Sequence, residues 1–173
     1  MKLELNNQEL SLKTDQQKAN DEKLLSKITS LLPQFGPNWH RHSLIGMKVQ
    51  TLSRVLYYSQ LYEKIVDVPG VICEFGVQWG ATMVELTNLR GIYEPFNISR
   101  KIIGFDSFSG FPSLSEHDEN KKNQWNVGDY SSKSQYEHDL EEILTLHEGN
   151  MPYSHIKKFE LVKGDISITF KEW

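Results

Sequence analysis

Three carboxylates close three short apolar runs in this chain, and their positions suggest a shared site. Glu74 stands near the end of Val71-Ile72-Cys73-Glu74-Phe75, two residues before Gly76 in Gly76-Val77-Gln78-Trp79-Gly80. Asp106 ends Lys101-Ile102-Ile103-Gly104-Phe105-Asp106, and Asp165 follows Phe159-Glu160-Leu161-Val162-Lys163-Gly164. In open α/β sheets ligands bind outside the carboxyl ends of the strands, so residues that close strands are the ones to inspect. Gly76 and Gly80 would let the backbone approach a ligand at a helix N-terminus. A dinucleotide turn, G-x-G-x-x-G, presents bare amides to a pyrophosphate. Here the glycines are four apart and a carboxylate precedes them. That carboxylate would repel a pyrophosphate and would attract a ligand carrying an ammonium and a sulfonium in a partly desolvated cleft. Asp106 is placed to accept from ribose hydroxyls, and Asp165 to accept from the exocyclic amine of adenine. A G-x-x-x-G turn also occurs where a helix merely packs close on its strand, so the turn alone does not decide; three acidic strand ends together weigh toward a ligand.

The elements around these residues alternate. Gly70 and Gly76 bound the first run, which reads as a buried parallel strand. Ala81 to Leu89 then reads as a helix that turns Met83, Leu86 and Leu89 to a sheet. A second strand ends at Asp106, and a polar segment from Ser107 to Ser134 has the length of a binding loop or lid. Ser134-Gln135-Tyr136-Glu137 has the form of a capping box, and Tyr136, Leu140, Ile143, Leu144 and His147 continue one helical face to Gly149. Phe159 to Val162 gives a third strand. This order predicts right-handed crossovers and a parallel, doubly wound α/β sheet. Upstream, Leu24, Leu25, Ile28, Leu31 and Leu32 predict a short helix that stops at Pro33 and Gly36-Pro37. Met47 to Val66 predicts a longer helix with Leu52, Val55, Leu56, Tyr62, Ile65 and Val66 on one face. The expected organisation is a mobile N-terminal arm over 1–20, a helical region over 21–66 and an α/β half-domain over 67–173.

Composition narrows the function classes. With 173 residues one domain is expected. A formal net charge of −4 and the lack of a basic stripe argue against nucleic acid, whose phosphates need a cationic surface. No apolar run approaches the roughly 20 residues of a membrane span, and the first residues do not form a signal peptide, so a cytoplasmic protein is expected. Cys73 is the sole cysteine, which excludes an internal disulfide and a thiolate zinc cluster. His40, His42, His117, His138, His147 and His155 are scattered, without metal-ligand spacing. His138 and Asp139 would line the cleft if the long loop folds over it. Trp79, Trp125 and Tyr130 are candidates to stack on adenine or sugar, with core packing an equal reading.

Between Leu44 and Thr169 the chain resembles the macrocin-type O-methyltransferases, which act on sugars of antibiotics and related natural products. The resemblance is carried by Val68-Pro69-Gly70, Glu74-Phe75-Gly76-Val77, Lys163-Gly164-Asp165-Ile166 and above all Gly104-Phe105-Asp106-Ser107-Phe108-Ser109-Gly110-Phe111-Pro112. It implies a class I methyltransferase (Rossmann-like) fold and transfer of a methyl group from S-adenosylmethionine to a hydroxyl of a sugar-like acceptor. Glu74, Phe75, Gly76, Gly80, Asp106, Ser107, Gly164, Asp165 and Ile166 would hold the cofactor. It also implies assistance by magnesium, whose ligands in the family lie on further strands that this chain does not contain. The sheet is therefore expected to be incomplete, with strand one exposing an edge that is normally central. On that basis the chain alone is expected to be a poor enzyme prone to association, as a homo-oligomer for example. The competing readings are a dinucleotide-binding Rossmann enzyme and a cofactor-binding fragment without turnover.

Overall fold

The computed structural model describes residues 13–111, 113 and 126–173. The chain divides into two compact units, the first reaching to Leu56 and the second running from Tyr57 to Trp173. The division thus falls inside a helix, ten residues before the boundary expected from sequence at 66/67.

In the first unit, α1 spans Asp15–Leu31. It starts well before the expected Asp21, because Thr14 and Gln17 form a reciprocal capping box: the Thr14 hydroxyl accepts from the Gln17 amide and the Gln17 side chain accepts from the Thr14 amide. The expected arm therefore holds helix from residue 15 onward, and its residues 1–12 lie outside the described ones. Lys13 and Lys48 both pair with Asp21, at 2.8 and 2.6 Å, and hold its carboxyl below the usual range. Pro33 ends the helix as anticipated, and short turns follow through α2 (Trp39–His42). The helix α3 (Val49–Glu63) is shorter than the predicted Met47–Val66. Of its expected face Tyr62 is buried, whereas Leu52, Val55 and Leu56 are exposed.

The second unit is built on three parallel strands in the order β1 (Ile72–Phe75), β2 (Ile102–Asp106), β3 (Phe159–Lys163). Ile72 pairs with Ile102 and Phe75 with Phe105; Ile102 pairs with Phe159 and Asp106 with Lys163. Within this sheet β1 is an edge, as expected, and leaves Phe75 53% exposed. The connecting helices are α4 (Ala81–Tyr93) and α5 (Tyr136–Gly149). Met83, Leu86, Leu89, Leu140 and Leu144 pack with Ile102 and Phe159 into one core. A final helix, α6 (Ile166–Glu172), was not anticipated; Asp165 caps it. It covers the other face, where Phe105 meets the rings of Phe75, Phe170 and Trp173 at 5.4, 5.6 and 5.8 Å.

At α5 the predicted capping box does not form. The residue before the helix is Gln135 in a left-handed conformation with no side-chain cap, which puts Glu137 at the second helical position rather than the third that a capping box needs, and Glu137 pairs with Lys163. Among the described residues, buried ion pairs lie at the opposite, amino end of the strands. Arg100 Nε donates to Glu94 Oε2 at 2.9 Å, while its other nitrogens donate to the carbonyls of Gly70 and Ile65. Burial would raise the Glu94 carboxyl, but hydrogen bonds from Arg100, Tyr62 and Asn97 outweigh it and hold the group below its ordinary 4.5. Arg90 and Glu148 form another pair. The strands are thus clamped at their amino ends.

His147, in the last turn of α5, gives a pH prediction. Burial lowers its imidazole below the ordinary 6.5, so the unfolded chain takes up this proton more readily than the folded one. Stability from this residue is therefore present above about pH 6.5 and lost as the pH falls from there through the folded value. The urea midpoint is expected to decline between pH 7.5 and 5.5, and His147→Gln to flatten that limb; an equally steep limb in the variant would contradict the assignment.

Candidate functional site

The carboxyl ends of the three strands meet at Asp106. Its carboxylate reaches across to the β1–α4 turn, where Oδ2 accepts from the amides of Val77 and Gln78, each at 2.7 Å. The other oxygen, Oδ1, accepts from the Phe108 amide at 2.7 Å and closes an Asx turn. Its main-chain carbonyl accepts from the Gly164 amide at 2.9 Å on the β3 side. The central strand therefore ties both neighbouring strand ends to one residue.

Strand alternation puts Glu74 and Asp106 on the same face of the sheet, since Glu74 stands in register with Gly104 and Asp106 lies two residues on. This is the face covered by α4: a side chain at Gly104 would meet Val77 Cγ2 at 2.7 Å and Met83 Sδ at 3.0 Å. Glu74 is half-buried there. Phe75 points the other way, into the aromatic cluster with Phe105 and Phe170, so its side chain is not brought to the two carboxylates.

The two glycines of the turn differ in what requires them. Both have positive φ, +87° at Gly76 and +74° at Gly80. A Cβ on Gly80 would fall 2.3 Å from Leu140 Cδ1, so this glycine seats α4 against α5, in line with the close-packing alternative. A Cβ on Gly76 would meet nothing within 4 Å. Gly76 thus has open space on its side-chain side.

The other expected residues are largely engaged with backbone. Ser107 Oγ donates to the Gly110 carbonyl at 2.7 Å and accepts from the Ser109 amide, which shapes the turn after β2. Asp165 Oδ1 accepts from the Ser167 amide at 2.8 Å, and that bond holds its carboxyl below the ordinary 3.8. Gly164 and the partly exposed Ile166 flank it at the end of β3. Trp79 is 52% exposed, yet its position is fixed: its ring meets Tyr136 edge-on at 4.8 Å, and Tyr136 Oη donates to its carbonyl at 3.0 Å. Burial, and secondarily Asp139, raises the Tyr136 hydroxyl above its ordinary 10.0. Tyr130 meets Phe111 edge-on at 5.5 Å, and Asp139 pairs with Lys133. His40, His42 and His155 lie against the rings of Trp39, Phe35 and Tyr153. Trp125 and His117 are outside the described residues. Among the described residues no three His, Cys, Asp or Glu side chains group to hold a metal ion, and no helix is long and apolar enough to cross a membrane.

Sequence reasoning missed two features of the site. One is the Glu137–Lys163 ion pair beside Asp106, for which sequence holds no signal because it joins a helix to a strand end. The other is the grip of Asp106 on the turn. A partial signal existed: Asp before Ser-Phe-Ser-Gly is a turn-forming combination that commits the carboxylate to nearby amides.

No protein-family model matches the chain, and no curated protein matches it. Solved structures do. A crystal structure of CalS11, a calicheamicin methyltransferase, superposes with a TM-score of 0.82 at 28% identity, covering 94% of this chain and 63% of that one. The apo structure of CalS11, described as a TDP-rhamnose 3'-O-methyltransferase of calicheamicin biosynthesis, gives 0.73 and 26%, over 94% and 61%. The chain spans less than two thirds of the length of these structures. Over that span its fold is the open α/β sheet of the class I methyltransferases.

Proposed function

We propose that this chain is the donor-binding part of an S-adenosylmethionine-dependent O-methyltransferase whose acceptor is a hydroxyl of a sugar or related small molecule. The observation that carries the donor assignment is the double hydrogen bond from Val77 and Gln78 to Asp106. In a dinucleotide site such turn amides cradle the pyrophosphate. Here they are committed to a carboxylate, and a second carboxylate, Glu74, lies on the same face, so a phosphate-bridged ligand meets negative charge and no cradle. A cationic nucleoside meets the opposite. The class of the acceptor is supported by the likeness to CalS11.

S-adenosylmethionine, when bound, supplies a methyl group on a sulfonium, open to in-line displacement by a hydroxyl. The residues present fit it. Gly76 leaves open space for the ligand beside backbone, Glu74 supplies a carboxylate to an ammonium, and Asp106 has about one of its four lone-pair sites left for a ribose hydroxyl. Gly164, Asp165 and Ile166 would border the adenine. The contribution of these groups is to bind and orient the donor, which for a displacement is the larger part of catalysis.

Calorimetric titration with S-adenosylhomocysteine and with NAD tests the reading. Saturable heat with the first and none with the second is expected; the reverse would overturn it.

A further inference from the structure

The β1–α4 turn holds a shape that its own sequence does not favour. Three of the five residues from Gly76 to Gly80 have positive φ, and one of them, Gln78 at +50°, is not a glycine. A long unbranched side chain rarely adopts this conformation, and such residues persist only where the surroundings over-determine them. The constraint here comes from 28 residues away: Asp106 Oδ2 takes the Gln78 amide and its neighbour, Val77, at 2.7 Å each. Bonds of this length to a carboxylate are of the strong, charge-assisted kind. The carboxylate cannot swing aside, because Oδ1 is held by Phe108 and the main chain of the same residue is held by Gly164.

We infer that Asp106 is a positioning residue: it latches the turn into its ligand-receiving shape and acts on a bound adenosyl ligand chiefly through the backbone of Val77 and Gln78. A direct bond to the ribose would be the lesser contribution. The inference rests on the donor reading above for what the turn receives, while the latch is already set in the ligand-free chain. An asparagine at 106 can accept one amide but turns an NH2 group toward the other, so the turn should relax and Gln78 should leave the left-handed region.

Three comparisons decide it. First, in ligand-free protein the Val77 and Gln78 amides of Asp106→Asn should exchange with deuterium at least about tenfold faster than in the unaltered chain; unchanged exchange overturns the latch. Second, Asp106→Asn should weaken S-adenosylhomocysteine and its 2',3'-dideoxyribose analogue by the same factor, about tenfold. A loss confined to the hydroxyl-bearing ligand would assign Asp106 to the ribose instead and overturn the inference. Third, Gln78→Gly, which makes positive φ costless, should restore part of the lost affinity in the double variant; no recovery counts against the inference. Should Asp106→Asn fail to fold, Gln78→Pro removes the amide and forbids positive φ while leaving the carboxylate intact, and should weaken both ligands equally. If the unaltered chain binds no S-adenosylhomocysteine, the methyltransferase reading fails, and the exchange comparison still decides the latch.

Discussion

Replacing Glu148 with alanine is expected to destabilise the folded chain by about 3 to 5 kcal/mol. Its carboxylate is the one anion in a buried cluster with two cations, among the described residues. Glu148 Oε1 accepts from Arg90 Nη2 at 2.6 Å, with the two side chains 3% and 2% exposed, and lies 4.0 Å from Lys158 Nζ. Its other oxygen accepts from the Lys158 amide at 3.1 Å, and Arg90 Nη1 donates to the Lys158 carbonyl at 2.9 Å. Losing the carboxylate would leave two buried positive charges facing each other without compensation. Losing Arg90 would leave Lys158 to balance Glu148. Arg90→Met should therefore cost less than Glu148→Ala, and Arg90→Met with Glu148→Leu and Lys158→Met should recover much of the loss, since apolar replacement of a whole buried charge group is often neutral. Urea unfolding of the three variants measures this. Equal costs for the two single variants would show that the cluster is not organised around Glu148.

The same cluster shows where sequence reading succeeds and where it stops. The strand and helix alternation was legible because Val71 to Phe75, Ile102 to Phe105 and Phe159 to Val162 are compact apolar runs between glycines and charges, and Met83, Leu86 and Leu89 recur at helical spacing. Those signals are local. Arg90, Glu94, Arg100, Glu148 and Lys158 read as ordinary surface charges, since nothing local reveals that they are buried at the amino ends of the strands; only the fold brings Arg90 to a partner 58 residues away. Local signals also mislead when an element starts one residue off the pattern, as at α5, where Gln135 and not Ser134 precedes the helix and Glu137 pairs with Lys163. The helix α6 went unseen because Ile166-Ser167-Ile168-Thr169-Phe170 alternates like a strand, and its N-terminus depends on Asp165, read first as a ligand residue.

For the site the division is similar. Position was legible, because strand ends can be counted from sequence; hydrogen-bond commitment was not. Asp106 and Asp165 were expected to await a ligand, and in the ligand-free fold both already serve the backbone, one latching a turn and one capping a helix. Glu74 stands half-buried in register with Gly104, on the face that α4 covers, and the electrostatic argument for a cationic donor now falls mainly on it.

Glu74→Gln is accordingly expected to weaken S-adenosylhomocysteine by about a hundredfold, with the thermal midpoint little changed. The substitution keeps the side chain's size and removes only its charge. A carboxylate about 4 Å from an ammonium gains roughly 4 kcal/mol at the effective dielectric of a protein surface, and the partial exposure of Glu74 reduces that to about 2.7 kcal/mol, or a factor of about a hundred. The control is the sign of the effect on an anionic ligand. Because the Glu74 carboxylate repels a pyrophosphate, removing its charge should raise the affinity for NAD from the little that the unaltered chain has. A hundredfold loss with S-adenosylhomocysteine together with a gain with NAD places the selectivity in the charge of Glu74. A change below about threefold with S-adenosylhomocysteine, a fraction of a kcal/mol, would mean that the carboxylate faces no cation and that the donor assignment has lost its physical basis.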